Sequence, residues 1–272
     1  MEPKLQRRVQ RYGWDKAATY YEPFWQAALA PAQKRLLELA ALKPGDRVVD
    51  IACGTGLVTF PAAEAVGPQG EVIGTDISGS MVDLCRESAT QRGCANVSFE
   101  RMDAEELSLP DASFDAVLCA LGLMFIVDPL KALQEQLRVL KPGGRAVAAV
   151  WGQRDRCGWA ELFPIVDARV ESDVCPMFFQ MGTKDVLSQT MAAAGFADIA
   201  FERLPSKLPF RSREEAIGAA FLGGAVALAY AKFDDKTRAE AESEYLSSIE
   251  QYRAGDGYAV DAEFVVAIGW KQ

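Results

Sequence analysis

The stretch Arg47-Val-Val-Asp50-Ile-Ala-Cys-Gly54-Thr-Gly56, followed twenty residues later by Asp76, decides how this chain is read. The apolar run predicts a strand, the glycines a turn, and the residues after Gly56 the start of a helix. Such a strand–turn–helix cradles an adenosine-type ligand. A side chain at Gly54 or Gly56 would keep the backbone from approaching that ligand, and turns of this kind often need positive φ. Asp76 closes a second strand, Glu71-Val-Ile-Gly-Thr75, where a carboxylate can accept hydrogen bonds from both ribose hydroxyls. Two residues argue against a dinucleotide. The third glycine of the pyrophosphate fingerprint falls on Thr59, and an anionic Asp50 at the strand end is ill suited to sit beside phosphates. A carboxylate there suits a ligand bearing an ammonium or sulfonium group.

The chain has 272 residues, half of them hydrophobic, which suits one large α/β domain with an insertion. With 38 acidic residues against 29 basic ones and a net charge of −9, its surface repels phosphate backbones and anionic membranes. We therefore expect a small-molecule partner, no nucleic acid and no membrane insertion. The opening Met-Glu-Pro-Lys-Leu-Gln-Arg-Arg lacks the apolar core of a signal peptide, and no apolar run is long enough to span a bilayer. The expected location is cytoplasmic. There is no histidine, which removes Ser-His-Asp and Cys-His catalysis and nearly all catalytic zinc sites. The six cysteines, at 53, 85, 94, 119, 157 and 175, show no paired zinc spacing and read as small core residues, so no metal is expected.

From about residue 45 to 152 strand and helix patterns alternate, the signature of a doubly wound, mostly parallel sheet. Strands are expected at Arg47–Ala52, Glu71–Thr75, Val97–Arg101, Phe114–Ala120 and Arg145–Trp151. Helices are expected at Leu57–Val66, Ser80–Gln91 and Pro129–Leu140, with Asp128 capping the last and the turn Lys141-Pro-Gly-Gly144 ending it. Right-handed crossovers bring Gly54, Asp76, Asp103 and Leu121 to one rim of the sheet, where ligands of open α/β sheets bind. Beyond Trp151, helices are expected at Trp159–Val170 and Thr183–Ala194, with Gly195 as a C-cap, and a strand at Asp198–Leu204. A capping box at Ser212-Arg-Glu-Glu215 opens a helical region whose segment Ala219–Ala231, apolar on every side, reads as one buried helix. A polar helix at Asp235–Arg253 and a final strand at Tyr258–Trp270 follow.

With Asp50–Gly56, Asp76, Met102-Asp-Ala104 and Arg138-Val-Leu-Lys-Pro-Gly-Gly144 in order, residues 12 to 152 resemble the class I S-adenosylmethionine-dependent methyltransferases. The likeness is to the branch that includes the ubiquinone and menaquinone C-methyltransferases. It implies a seven-stranded Rossmann-like sheet whose last strand is antiparallel, with an inserted helical lid at about 205–257. The implied organisation is an N-terminal helical cap at 1–44, a cofactor core at 45–152, and substrate-side helices, lid and edge strands at 153–272. By this resemblance Asp50 and Gly54-Thr55-Gly56 hold the methionine moiety, Asp76 the ribose, and Ile77 and Met81 the adenine faces. Asp103 accepts from the adenine amino group beside Met102 and Ala104, and the stretch Cys119–Leu123, with Ala120 and Leu121, offers carbonyls to the ammonium. Ala52 belongs to the same implied set. Tyr21-Glu22 resembles the Tyr-Asp of an N-terminal segment that folds over the cofactor. One departure stands out: many relatives carry His or Asn after strand four, where this chain reads Gly122-Leu-Met-Phe-Ile-Val-Asp128.

Methyl transfer of this class is an in-line displacement at a sulfonium carbon, and alignment alone can contribute roughly 7–11 kcal/mol. The catalytic residue is left open, with Tyr21 and Cys157 as candidates. Substrate-side candidates are Trp14, Met124, Phe125, Trp151, Phe178 and Phe221, with Trp159, Phe163 and Phe179 nearby, which points to an aromatic or aliphatic small molecule. Core packing explains the same residues equally well. Three other functions compete. A catalytically inactive, cofactor-binding regulatory or accessory protein has the same motifs. A nicotinamide oxidoreductase is weakened by Asp50 and Thr59. A metalloid methyltransferase needs converging thiolates, for which only Cys157 and Cys175 lie outside the cofactor core.

Overall fold

The computed structural model describes residues 2–170 and 178–272. Among these, eight strands form one sheet: β1 (Arg47–Ile51), β2 (Glu71–Asp76), β3 (Val97–Arg101), β4 (Phe114–Ala120), β5 (Leu140–Trp151), β6 (Ala197–Phe210), β7 (Arg253–Ala254) and β8 (Gly257–Trp270). The spatial order is β3-β2-β1-β4-β5-β8-β6, with the two-residue β7 paired to β8. Strands β1 to β5 are parallel, and β8 runs antiparallel between β5 and β6. This is the expected doubly wound sheet with its last strand reversed. From β1 the chain proceeds outward to β2 and β3, then returns to place β4 on the other side. The C-terminal ends of β1 and β4 therefore flank the topological switch point, where the crossovers diverge and leave a crevice.

The parallel strands are apolar because helices cover both faces. Helices α2 (Thr59–Val66), α3 (Gly79–Arg92) and α4 (Pro129–Val139) follow β1, β2 and β4. Two of these starts carry a side-chain cap. Ser78 accepts from Met81 N at the start of α3, and Asp128 accepts from Lys131 N at 3.0 Å, with Pro129 in the first turn of α4. Edge strand β6 carries Pro205 and Pro209, whose missing N–H groups suit a strand with one open side.

Several elements differ from the sequence expectation: the polar helix expected at Asp235–Arg253 ends at Ser248, with Arg253 paired in β7, and only Leu162–Asp167 of the expected Trp159–Val170 is α-helical. The Lys141-Pro-Gly-Gly144 turn is built into β5, which begins at Leu140 immediately after α4. Gly143 at φ 77° donates to Lys271 O at 2.7 Å and Lys271 N donates to Gly144 O, so distant residues pair with the backbone expected to be a free turn. Strand β6 runs to Phe210 rather than Leu204, which leaves a shorter insertion. It holds α7 (Arg213–Ile217), α8 (Ala227–Tyr230) and α9 (Asp235–Ser248). The apolar stretch 219–231 is not one helix. It forms a π-helical turn at Gly218–Leu222, breaks at Gly223-Gly224 and resumes as α8.

The cause of that break lies in α1 (Pro3–Ala40), a 38-residue helix that continues through Pro23 and Pro31. Its stripe Trp25, Ala28, Leu29, Ala32, Leu36 and Ala40 recurs every three to four residues and is buried against the sheet. A Cβ at Gly218 would stand 2.3 Å from the Phe24 ring, and one at Gly223 3.1 Å from both the Trp25 ring and Tyr20 O. Glycine lets the π-turn press onto α1, and Trp25 Nε1 donates to Ala219 O at 3.1 Å across the contact. Two further helices, α5 (Leu162–Asp167) and α6 (Val186–Ala194), complete the described elements.

Gly182, just before α6, rests on the end of β5: a Cβ there would lie 1.8 Å from Trp151 O. Backbone cannot yield as a side chain can, so Gly182→Ala is expected to destabilise by about 1–3 kcal/mol. Gly79→Ala, whose nearest neighbour is 3.9 Å away, should be neutral or slightly stabilising. Urea unfolding of the two variants checks the contrast.

Candidate active site

The β1–α2 turn is shaped by three residues at positive φ: Ala52 (55°), Gly54 (57°) and Gly56 (87°). Gly54 N donates to Asp76 Oδ2 at 2.9 Å, and Ser78 N donates to Asp76 Oδ1 at 2.9 Å. One buried carboxylate thus ties the turn after β1 to the start of α3. The end of β4 carries a matching distortion, with Leu121 at φ 61°. Its neighbour Gly122 abuts the β1 turn so closely that a Cβ would lie 2.5 Å from Ala52 Cβ. Left-handed conformations at the non-glycine residues Ala52 and Leu121 are costly, and their pairing at the switch point marks a functional crevice.

The crevice is a cavity of about 760 Å³. Of the implied cofactor set, Tyr21, Ala52, Gly54, Asp76, Ile77, Met81, Met102, Asp103, Ala104, Ala120 and Leu121 line it. Asp50, Thr55 and Gly56 stand behind its wall. Gly56 is needed for a different reason than ligand approach, because a Cβ there would lie 2.6 Å from the Phe60 ring of α2. Thr59 at the third-glycine position donates its hydroxyl to Asp50 Oδ2 at 2.6 Å, so the two residues that argue against a dinucleotide form one buried pair.

Burial dominates the electrostatics. It pushes the Asp50 carboxyl up to about 7, countered by the Thr59 hydroxyl and reinforced by the nearby charge of Asp76. It also pushes Asp76 up to about 6, against the backbone N–H groups of Ser78, Gly54 and Ile77 and with help from Asp15. The Tyr21 phenol is raised by burial and then by both aspartates, so at neutral pH it keeps its proton.

Helix α1 closes the cavity with residues that the motif reading did not single out. Asp15 Oδ1 accepts from the Ser78 hydroxyl at 2.6 Å and from Ser80 N at 3.3 Å, at the positive end of α3. Arg7 pairs with Asp103 (Nε to Oδ2, 3.1 Å) and with the buried Glu105, and all three line the cavity. Asp103 Oδ1 meanwhile accepts from Glu105 N. Polar residues on a long helix carry no motif, and only the docking of α1 across the rim reveals them.

A second cavity of about 450 Å³ adjoins the first and shares Trp14, Tyr21, Leu121 and Phe125 with it. Met124, Trp151 and Phe178 line this chamber, together with Trp25, Trp159 and Phe163. Phe221 does not. It packs against Tyr230 and Tyr245, with ring centroids 4.9 and 5.7 Å away. The thiol candidate Cys157 lines neither cavity; its Sγ–H points to Glu263 O, and burial pushes it up to about 12. Cys175 lies outside the described residues, among which no group of three or more acidic or cysteine side chains could hold a metal. No helix among them is long and apolar enough to cross a membrane.

The residues present fit S-adenosylmethionine. The lining places one carboxylate at the end of β2, apolar side chains beside it, and buried negative charge suited to a sulfonium. Residues 42–166 match the family model described as "Methyltransferase domain". The chain is 36% identical over 145 residues to the aklanonic acid methyltransferase of Streptomyces sp. (strain C5), covering 53% of this chain and 66% of that one. It is 48% identical over 110 residues to a ubiquinone/menaquinone biosynthesis C-methyltransferase of Ectopseudomonas mendocina (strain ymp), covering 40% and 43%. The chain thus spans about half the length of the curated relatives it matches. A solved structure of Haemonchus contortus phosphoethanolamine N-methyltransferase 2, in complex with phosphomonomethylethanolamine and S-adenosylhomocysteine, superposes with a TM-score of 0.63 at 22% identity, covering 94% of this chain and 57% of that one. With the glycine turn, the Asp76 bridge and the sheet order, these matches show that residues 42–166 form a methyltransferase domain of the class I S-adenosylmethionine-dependent type.

Proposed function

We propose that this protein transfers the methyl group of S-adenosylmethionine to a small, partly apolar acceptor seated in the second chamber. The observation that carries this reading is the junction of the two cavities. A crevice with Asp76 at its wall opens, past Trp14, Tyr21, Leu121 and Phe125, into an aromatic chamber whose only ionisable side chain among the described residues is Tyr21. The curated relatives named for aklanonic acid and for quinone biosynthesis support an acceptor of this kind.

When bound, the cofactor supplies a methyl group activated by positive charge on sulfur. The protein's part is to hold, align and keep dry. Asp76 offers acceptor oxygens to the ribose, Ile77 and Met81 flank the base, and Asp50 places negative charge behind the turn. The rings of Trp14, Tyr21 and Phe125, the first packed edge-on against the other two at 5.7 and 4.9 Å, exclude water from the junction. Aromatic faces also favour a nearby cation. With its proton held tightly, Tyr21 can donate a hydrogen bond but cannot act as a base at neutral pH. Cys157 lies elsewhere. The acceptor must then be nucleophilic already or lose its proton to water, and approach geometry supplies the rate.

Incubating the protein with labelled S-adenosylmethionine and a panel of phenols, quinols and neutral polycyclic ketones should yield S-adenosylhomocysteine and a methylated product. Binding of the cofactor without turnover of any acceptor, in the panel or in cell extract, would favour the inactive accessory reading.

The raised carboxyl groups set a pH dependence. Both folded values, about 7 for Asp50 and about 6 for Asp76, lie above the ordinary 3.8. Their contribution to the stability of the ligand-free protein is therefore present at low pH and lost as pH rises through 6 to 7. Cofactor binding runs the other way, because a cationic ligand selects the ionised forms. We expect affinity to be constant above pH 8 and to fall at least about tenfold by pH 5, since each group can cost up to tenfold per pH unit. Asp50→Asn should leave only the lower step, near pH 6. Calorimetry with S-adenosylmethionine from pH 5 to 8.5 reads both midpoints, and a flat profile in the unmodified protein would overturn the assignment.

A further inference from the structure

We propose that Trp159 recognises the acceptor: its indole Nε1–H donates to an oxygen on a flat, uncharged aromatic molecule in the second chamber. The inference rests on the two-cavity reading above and adds to it the chemical class of the acceptor and the residue that selects it.

Trp159 is 3% exposed, lines the chamber, and its Nε1 is buried without an acceptor among the described residues. An unmet indole donor is unusual, because Trp N–H groups ordinarily find a partner when buried. The contrast with Trp25 is close at hand. Trp25 lines the same chamber, 6.1 Å from Trp159 between ring centroids, and its Nε1 is spent on Ala219 O. Trp159 is packed by Trp151 at 4.8 Å, Phe178 at 5.4 Å, Phe179 at 5.6 Å and Phe163 at 5.7 Å. None of these rings carries a carbonyl or carboxylate that could accept. Among the described residues none supplies one, which leaves the chamber that Trp159 lines.

The rest of the lining restricts what carries that oxygen. Among the described residues, no Asp, Glu, Lys or Arg lines the chamber. A carboxylate, phosphate or ammonium would lose its hydration there without a counter-ion, so charged acceptors are excluded. Aromatic walls favour a flat ring system through offset and edge-to-face contacts. A ring system with a neutral carbonyl or ether oxygen, and a hydroxyl or enolisable carbon to take the methyl group, meets all three conditions. A phosphorylated amine offers oxygens but fails on charge and on flatness.

The test uses the full chain and binding alone, so it does not depend on turnover. 1-Tetralone and tetralin have nearly the same shape and differ in one carbonyl oxygen; 2-naphthoate adds a charge. Affinities are measured by calorimetry or ligand-observed magnetic resonance, with and without S-adenosylhomocysteine. The unmodified protein should bind 1-tetralone about five- to tenfold more tightly than tetralin, and 2-naphthoate more weakly than either. Trp159→Phe should remove the preference for the ketone while keeping tetralin affinity. Should that variant fold poorly, Trp159→benzothienylalanine removes the N–H and keeps the ring shape. A ketone preference that survives loss of the N–H, equal binding of ketone and hydrocarbon to the unmodified protein, or tightest binding of 2-naphthoate would each overturn the proposal. Failure to bind S-adenosylhomocysteine would instead refute the cofactor reading, and the ketone comparison in its absence would still decide on Trp159.

Discussion

The Asp76 carboxylate is the constraint on which the crevice depends. Each oxygen accepts one backbone N–H, from Gly54 and from Ser78, so a single side chain at the end of β2 fixes the turn after β1 and the first residues of α3. Burying a carboxylate is costly, as its upward-shifted protonation shows, and the two N–H groups offset part of that cost. The carboxylate's exposed edge lies at the cavity wall. An amide could not take its place without turning an NH2 toward one of the two donors.

Around this bridge the sheet and α1 do complementary work. Parallel pairing of β1 with β2 and β4 places two strained turns, at Ala52 and Leu121, side by side at the switch point. Helix α1 then crosses the rim, with Arg7 and Asp15 pinned to the cofactor side and Trp25 to the π-turn at 218–222. The same helix carries Trp14 and Tyr21, which belong to both cavities. A continuous 38-residue rod is a suitable part for that task, since it holds polar clamp and aromatic partition in one rigid register.

Much of the cofactor half was legible in the residues. Asp76 falls at a strand end by the period of its own neighbours, and glycine at 54 and 56 signals a turn whatever the tertiary contacts. The reason given for Gly56 was incomplete, because packing of Phe60 is a contact between residues whose approach depends on the helix start. Asp50 and Thr59 were informative as departures from a fingerprint, yet their hydrogen bond became visible only in three dimensions. The acceptor half was harder to read. Phe221 and Phe178 look alike in a sequence, but Phe221 is turned into the contact with Tyr230 and Tyr245 while Phe178 faces a cavity.

By itself the sequence determined the alternation of strand and helix, the glycine turn with Asp76, the absence of histidine chemistry and the family. These are local signals, carried by backbone conformation, periodicity and residue type at short spacing. Tertiary structure alone decided that the apolar stretch 219–231 breaks at Gly223-Gly224, that Lys141–Gly144 pairs with Lys271, that Cys157 is a core thiol, and that Trp159 keeps an unused donor. The physical reason is common to all four. Each depends on which distant backbone or ring fills the space beside a residue, and close packing settles that only when α1, the sheet and the inserted helices are assembled together.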